Sequence, residues 1–189
     1  MNTFVDNIQY SKKNFKSKEL SRTDFDSCTF TNCDFSDLHI SNSEFLDCEF
    51  IACNFSNTRL KECSFKQVYF EDSKLIGVKF NEIDPFLLQM KFSNCQLDFS
   101  SFYQLKIQYF HFDNCQMIGV DFTESDAQYC VFHKTNLKEA IFEETNLENA
   151  NFTTAENFVI DMDKNRVTNA FFSRENVLNL LQKYKLNVE

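Results

Sequence analysis

Cys28-Thr-Phe30-Thr-Asn-Cys33-Asp-Phe35-Ser-Asp-Leu38-His-Ile40-Ser-Asn-Ser43-Glu-Phe45-Leu-Asp-Cys48-Glu-Phe50-Ile-Ala-Cys53-Asn-Phe55 repeats itself every five residues. A large apolar side chain returns at Phe30, Phe35, Ile40, Phe45, Phe50 and Phe55, with a mostly smaller one two residues before each. The residues between are mostly polar. An α-helix returns every 3.6 residues and a plain strand every two, so neither accounts for a period of five. A chain that turns a corner every five residues does. One large and one small side chain then point inward, and three point out. Four repeats close a square coil of about 20 residues, and coils stack at roughly the 4.8 Å spacing of neighbouring strands.

The same step runs outward from this stretch, back to Tyr10 and on to Phe80. All fifteen centres are apolar in a chain that is 43% apolar, a run that chance gives with a probability on the order of 10⁻⁶. The register slips once, near residues 81–87, and resumes from Leu87 to Phe152. One repeat thus has two extra residues, expected to bulge outward. Residues 20 apart then stack in four columns. The first face carries Phe15, Phe35, Phe55, Leu75, Leu97, Met117 and Leu137. The second carries Leu20, Ile40, Leu60, Phe80, Phe102, Phe122 and Phe142. The third reads Phe25, Phe45, Phe65, Leu87, Ile107, Ala127 and Leu147. The fourth is a ladder of Phe30, Phe50, Phe70, Phe92, Phe112, Phe132 and Phe152. Burying each Phe is worth about 1.5–3 kcal/mol before entropy, so these columns are the expected main stabiliser. Phe110 stands at a small position and should crowd its coil.

The repeats Thr135-Asn-Leu137, Ala150-Asn-Phe152, Thr145-Asn-Leu147, Cys33-Asp-Phe35 and Cys53-Asn-Phe55 carry a family likeness. Over roughly residues 8–152 the sequence resembles the pentapeptide-repeat family. The resemblance implies an all-β fold, a right-handed quadrilateral parallel β-helix of about seven square coils. Residues 1–152 are read as that β-helix. Residues 153–189 are read as a loop, a C-terminal capping α-helix and a short strand. Ser173 is the expected N-cap. Val177, Leu178, Leu181 and Tyr184 form a stripe at helical spacing, while Leu186 and Val188 alternate as a strand would. A solenoid needs both ends capped, so this segment is expected to cover the column. The quinolone-resistance (Qnr) and MfpA-type members end in a comparable helix that joins two rods, which implies a homodimer through the C-terminal helix. Phe4, Ile8 and Tyr10 are expected to begin an irregular first coil.

All eight cysteines occupy the small inward position. Cys28 and Cys48, Cys33 and Cys53, and Cys95 and Cys115 are each 20 apart, vertical neighbours in the stack. They read as reduced core thiols, because Cys is a small, readily buried residue and no His joins them to make a zinc site. No metal or cofactor is expected. His39, His111 and His133 fall on scattered coils, and Gly77 and Gly119 make no phosphate-cradling loop. The expected protein is not an enzyme.

A net charge of −9 disfavours direct contact with nucleic acid or an anionic membrane and suits basic partners. The N-terminus lacks the basic-then-apolar order of a signal peptide, and no apolar run approaches the ~18 residues of a membrane span. The expected localisation is cytoplasmic. Between residues 81 and 152 there are eleven acids and four bases. Two adjacent faces, the second and third, hold most of the acids against Lys106 alone. Asp121, Glu124, Asp126, Glu143, Glu144 and Glu148 form the candidate partner-binding face. The resemblance implies a DNA mimic that binds a bacterial type II topoisomerase, DNA gyrase or topoisomerase IV, and gives quinolone tolerance. The alternative is a protein-interaction scaffold with an unrelated partner. Residues 21–152 span roughly 31 Å at strand spacing, and DNA of that length carries about 18 charges, more than this rod. Typical Qnr members also carry long projecting loops; here only the two-residue insertion near Pro85 departs from the repeat.

Overall fold

Phe30 lies opposite Phe50 in parallel register, and that register continues through Phe70, Phe92, Phe112 and Phe132. The computed structural model describes residues 2–185, and every strand pairing in it is parallel to a strand one coil away. Strands such as Thr29–Thr31 and Glu49–Ile51 are three residues long. Each contributes one buried ring with a neighbour exposed or half-buried on either side. The fold is therefore the parallel β-helix that the period of five implies. Its fourth face is a continuous ring stack, with centroids 4.7 Å apart at Phe30–Phe50 and 5.4 Å at Phe152–Phe172. Between faces the rings meet edge-on, as Phe50 and Phe55 do at 5.0 Å and 86°. Both geometries suit the aromatic quadrupole.

The corners explain why two glycines suffice. Two residues after most centres the chain adopts positive φ, at Asn32, Asp37, Asn42, Asn57 and many others. Asn and Asp tolerate this left-handed region better than most residues. At Leu60–Cys63 and Leu97–Ser100 the corner closes with a hydrogen bond from the fourth residue to the first. Positive φ at the third residue makes these type II turns.

The small inward positions do more than save space. Thr58 Oγ1 donates to the Phe35 carbonyl at 2.7 Å, and Ser43 Oγ to that of Leu20 at 2.6 Å. Cys53 and Cys130 do likewise to Phe30 and Ile107, at 3.2 and 2.9 Å. In each case the donor lies 23 residues beyond its acceptor. The hydroxyl or thiol satisfies a carbonyl of the previous coil that is buried behind a ring, where an orphan is costly.

The insertion bulges outward as expected, but its register differs. Ser64 bridges Asp84, 20 residues on, whereas Val68 pairs with Met90, 22 residues on. The two extra residues therefore fall between Asp84 and Met90. Leu87 is not a core centre: it sits at a positive-φ corner and is 65% exposed, beside an equally exposed Phe86. Asp84 opposes Ser64, which puts Pro85 rather than Leu87 opposite Phe65. Pro85 is exposed, so Ile83 and the half-buried Leu88 close the core there. This also accommodates Phe110, which is fully buried with its ring 6.3 Å from Phe92. On the third face the centre one coil before is the outward Pro85 and the centre one coil after is Ala127. The column beside Phe110 is thin at both levels.

At the C-terminal end the ladder continues one coil beyond residue 152. Asn136 bridges Glu156, Asn146 bridges Arg166 and Asn151 bridges Phe171. Phe172 stacks on Phe152 with planes 6° apart, and Phe158 is buried beside both. The loop expected over Thr153–Thr168 is thus held to the previous coil by backbone pairing, although its centres, such as Asn157 and Met162, no longer follow the repeat. Ser173, the expected N-cap, closes the turn that leads into the final helix: its Oγ accepts the Asn176 N–H, and Asn176 Oδ1 accepts the Ser173 N–H. Asn176 Nδ2 also donates to the Phe152 carbonyl at 2.7 Å.

The capping helix is a 3₁₀ helix, Val177–Tyr184, rather than an α-helix. Leu180 is its buried residue, while Val177, Leu178 and Tyr184 are exposed and Leu181 is half-buried. The tighter winding rotates the stripe, since side chains three apart eclipse in a 3₁₀ helix. Lys183 locks the helix to Asp161 and Asp163. Leu186 and Val188 lie outside the described residues. At the N-terminal end, the Lys13 ammonium lies 4.4 Å from the Phe15 ring centre and pairs with Glu19. The short helix Ser17–Leu20 completes the first coil.

Candidate functional site

Face two and face three meet at a corner occupied in successive coils by Gln104, Glu124 and Glu144. Positive φ pushes these side chains out from the rod, and Glu124 and Glu144 are exposed. Gln104 Nε2 donates to Glu124 at 2.8 Å, and the Tyr103 hydroxyl lies 3.4 Å from the same carboxylate. Desolvation, then the Glu124 charge, push the Tyr103 phenol pKa up. Asp121 and Asp126 flank the corner and are half-buried. Asp121 accepts the Thr123 N–H at 2.9 Å. Asp126 accepts amides from Gln108, Gln128 and Asn146 at 2.7, 3.0 and 3.1 Å.

The other two candidates differ. Glu143 pairs with Lys164 at 2.8 Å and Glu148 with Arg166 at 2.7 Å. Both cations belong to the coil beyond residue 152, so charge counting up to Phe152 misses them. Continuing the step of 20 finds them: Arg166 follows Asn146 and Lys164 follows Glu144. Glu82, also on the second face, is taken by Arg59. Among the described residues, Asp121, Glu124, Asp126 and Glu144 have no ion-pair partner. Lys106, which bridges Asp126 in the backbone ladder, makes no ion pair either. With Asp84, which also makes no ion pair among the described residues, these four carboxylates are the uncompensated part of the acidic side.

The remaining chemistry is quiet. All eight cysteines are free and buried. Burial pushes Cys48 and Cys53 up to about 12 and Cys63 up to about 11. A thiol so shifted supplies almost no thiolate near neutral pH. His133 Nδ1 meets Asp113 at 2.6 Å on the fourth face. No serine, threonine or cysteine hydrogen-bonds to either side chain among the described residues. No group of three or more His, Cys, Asp or Glu is placed to hold a metal among them. No described helix is long and apolar enough to cross a membrane.

A square parallel β-helix that buries one large side chain every five residues defines a solenoid of pentapeptide repeats. The chain belongs to the pentapeptide-repeat family. Residues 23–102 match the model of a pentapeptide repeat region, and residues 115–153 match that of pentapeptide repeats in eight copies. No curated protein sequence matches the chain. Among solved structures it resembles a trypsin-treated variant of QnrB1, described as a plasmid-mediated fluoroquinolone resistance protein. The two share 15% identity at a TM-score of 0.59, over 98% of this chain and 100% of that one. A second trypsin-treated QnrB1 variant matches at 0.55 with 15% identity, over the whole of both chains. HetL of Nostoc sp. strain PCC 7120, a pentapeptide repeat protein involved in heterocyst differentiation regulation, is 11% identical at 0.47, over 91% of this chain and 87% of its own. At such identities the likeness to QnrB1 is one of fold.

Proposed function

We propose that this protein is a non-enzymatic binding rod whose acidic side docks into a basic groove of a bacterial type II topoisomerase, giving quinolone tolerance. One observation carries the reading: Asp121, Glu124, Asp126 and Glu144 stand on two adjoining faces with no ion pair among the described residues, while Glu82, Glu143 and Glu148 on the same side are neutralised. Uncompensated charge on one side of a rigid rod steers it toward the opposite charge. QnrB1, which shares the fold, is described as a fluoroquinolone resistance protein, and that supports the quinolone part of the reading. The rod meets the groove in the cytoplasm, as a homodimer joined through the exposed Val177, Leu178 and Tyr184 of the capping helix. A supercoiling assay with DNA gyrase, with and without a quinolone, tests it. Inhibition of supercoiling or relief of the drug at micromolar protein supports the reading, and neither effect refutes it.

A further inference from the structure

Tyr109 and Tyr129 stand at the corner between the third and fourth faces, stacked 4.8 Å apart with planes 5° from parallel. They are 63% and 42% exposed, and their φ angles are 63° and 59°. Positive φ is strained for a bulky side chain. The same corner holds Ser27, Asp47, Gln67, Leu87, Asn149 and Asn169 in other coils, so the fold asks for no aromatic residue there. The tyrosines are not needed to turn the chain, and neither ring is buried in the core.

Their neighbours supply a fixed anion. Gln108 and Gln128, each immediately before one of the tyrosines, donate their amides to opposite oxygens of Asp126. With Asn146 the carboxylate accepts three hydrogen bonds, which leaves it a site for a fourth. An exposed aromatic stack, each ring next in sequence to a glutamine that orients one carboxylate, matches a planar cation, which packs on a ring face and hydrogen-bonds at its edge. Ammonium, compact and strongly hydrated, uses this arrangement less well. Nucleic acid is disfavoured by the net charge of −9.

We propose that the Tyr109–Tyr129 stack, with Asp126, is a platform that receives arginine side chains from a basic segment of the partner protein. The proposal rests on the acidic-side reading above and adds its selectivity: arginine over lysine at this corner.

Fluorescence anisotropy with labelled deca-arginine and deca-lysine peptides tests it on the full chain. The wild-type rod should bind deca-arginine about five-fold more tightly than deca-lysine, as two exposed cation–π contacts allow. Tyr109→Asn/Tyr129→Asn, which suits the backbone of this corner, should remove the preference without lowering the thermal midpoint. Tyr109→Phe/Tyr129→Phe should keep it. Equal affinities in the wild type, binding of neither peptide, or a preference that survives the Asn pair overturns the platform. Separately, Glu124→Lys/Glu144→Lys should weaken both peptides alike. Unchanged binding by that variant overturns the acidic-side reading rather than the tyrosine platform.

Discussion

The Thr58 hydroxyl donates to the Phe35 carbonyl across 2.7 Å, one coil back and wholly out of water. Thr145 with Phe122 and Ser73 with Phe50 repeat the contact at 2.8 and 3.2 Å. At these positions the small inward residue serves as a polar plug, and its chemistry matters as well as its volume, whereas Ser100 and Ser125 are buried at the same place without such a bond. Thr58→Val keeps the shape and orphans the carbonyl. It should destabilise the rod by about 1–3 kcal/mol, and Thr58→Ser by less. Urea unfolding of the two variants measures the difference, and equal midpoints for Val and wild type would show that the plug does not matter.

The thiols are buried at the same small positions, so they should be chemically silent. In the native protein at pH 7.5 none of the eight should react quickly with a thiol-specific disulfide reagent, and all eight should do so in denaturant. Burial raises Cys48, Cys53 and Cys63 to about 12, 12 and 11 and pushes Cys130 up further still. Rapid labelling of any of them in the folded state would contradict the packing described.

Phe110 and Ala127 should be coupled. Ala127→Leu adds volume where the third face is thin beside Phe110, and overpacking of this kind costs about 1–3 kcal/mol. Phe110→Ala leaves a cavity costing about 3–5 kcal/mol. The double variant should lose less than the two losses together, since each change relieves the other. Strict additivity in denaturant melts would mean that the two positions do not share space.

The C-terminal lock should depend on pH. The Lys183 hydrogen bond and then the Asp163 backbone hold the Asp161 carboxyl below its ordinary value. A carboxyl with a depressed folded pKa stabilises fully above its ordinary value, near 4, and loses that contribution as the pH falls through the folded value. The Asp161 and Asp163 contacts raise Lys183, whose contribution is full below its ordinary value and fades as the pH rises through the raised one. The methyl resonances of Leu180 should therefore hold steady between about pH 5 and 9 and move below about pH 4. Asp161→Asn/Asp163→Asn should remove the acid-induced movement. A wild-type Leu180 signal that stays unchanged down to pH 2.5 would contradict the lock.

The fold was legible because its signal is a period, and a period survives weak local propensities. Phe30 to Phe152 could be stacked on paper before any coordinate. What failed was local geometry without a period. At Leu87 the step of five predicts a core residue, yet the nearby proline and a positive-φ corner turn the chain outward. Beyond Phe152 the centres Asn157 and Met162 are not core residues, so the pattern hides a coil that backbone pairing still builds. That coil carries Lys164 and Arg166, which neutralise Glu143 and Glu148 and redraw the acidic face. The 3₁₀ winding of Val177–Tyr184 was also unreadable, because a stripe at spacings of three and four suits both kinds of helix.

The acidic side as a docking surface is tested most directly by binding to DNA gyrase in competition with a short duplex. The wild-type rod should displace the duplex, and Glu124→Lys/Glu144→Lys, which keeps every ion pair described, should lose at least about ten-fold in affinity, as truncation or reversal at an interfacial charge allows. Displacement by the reversed variant at the wild-type concentration would show that this face is not where the partner binds.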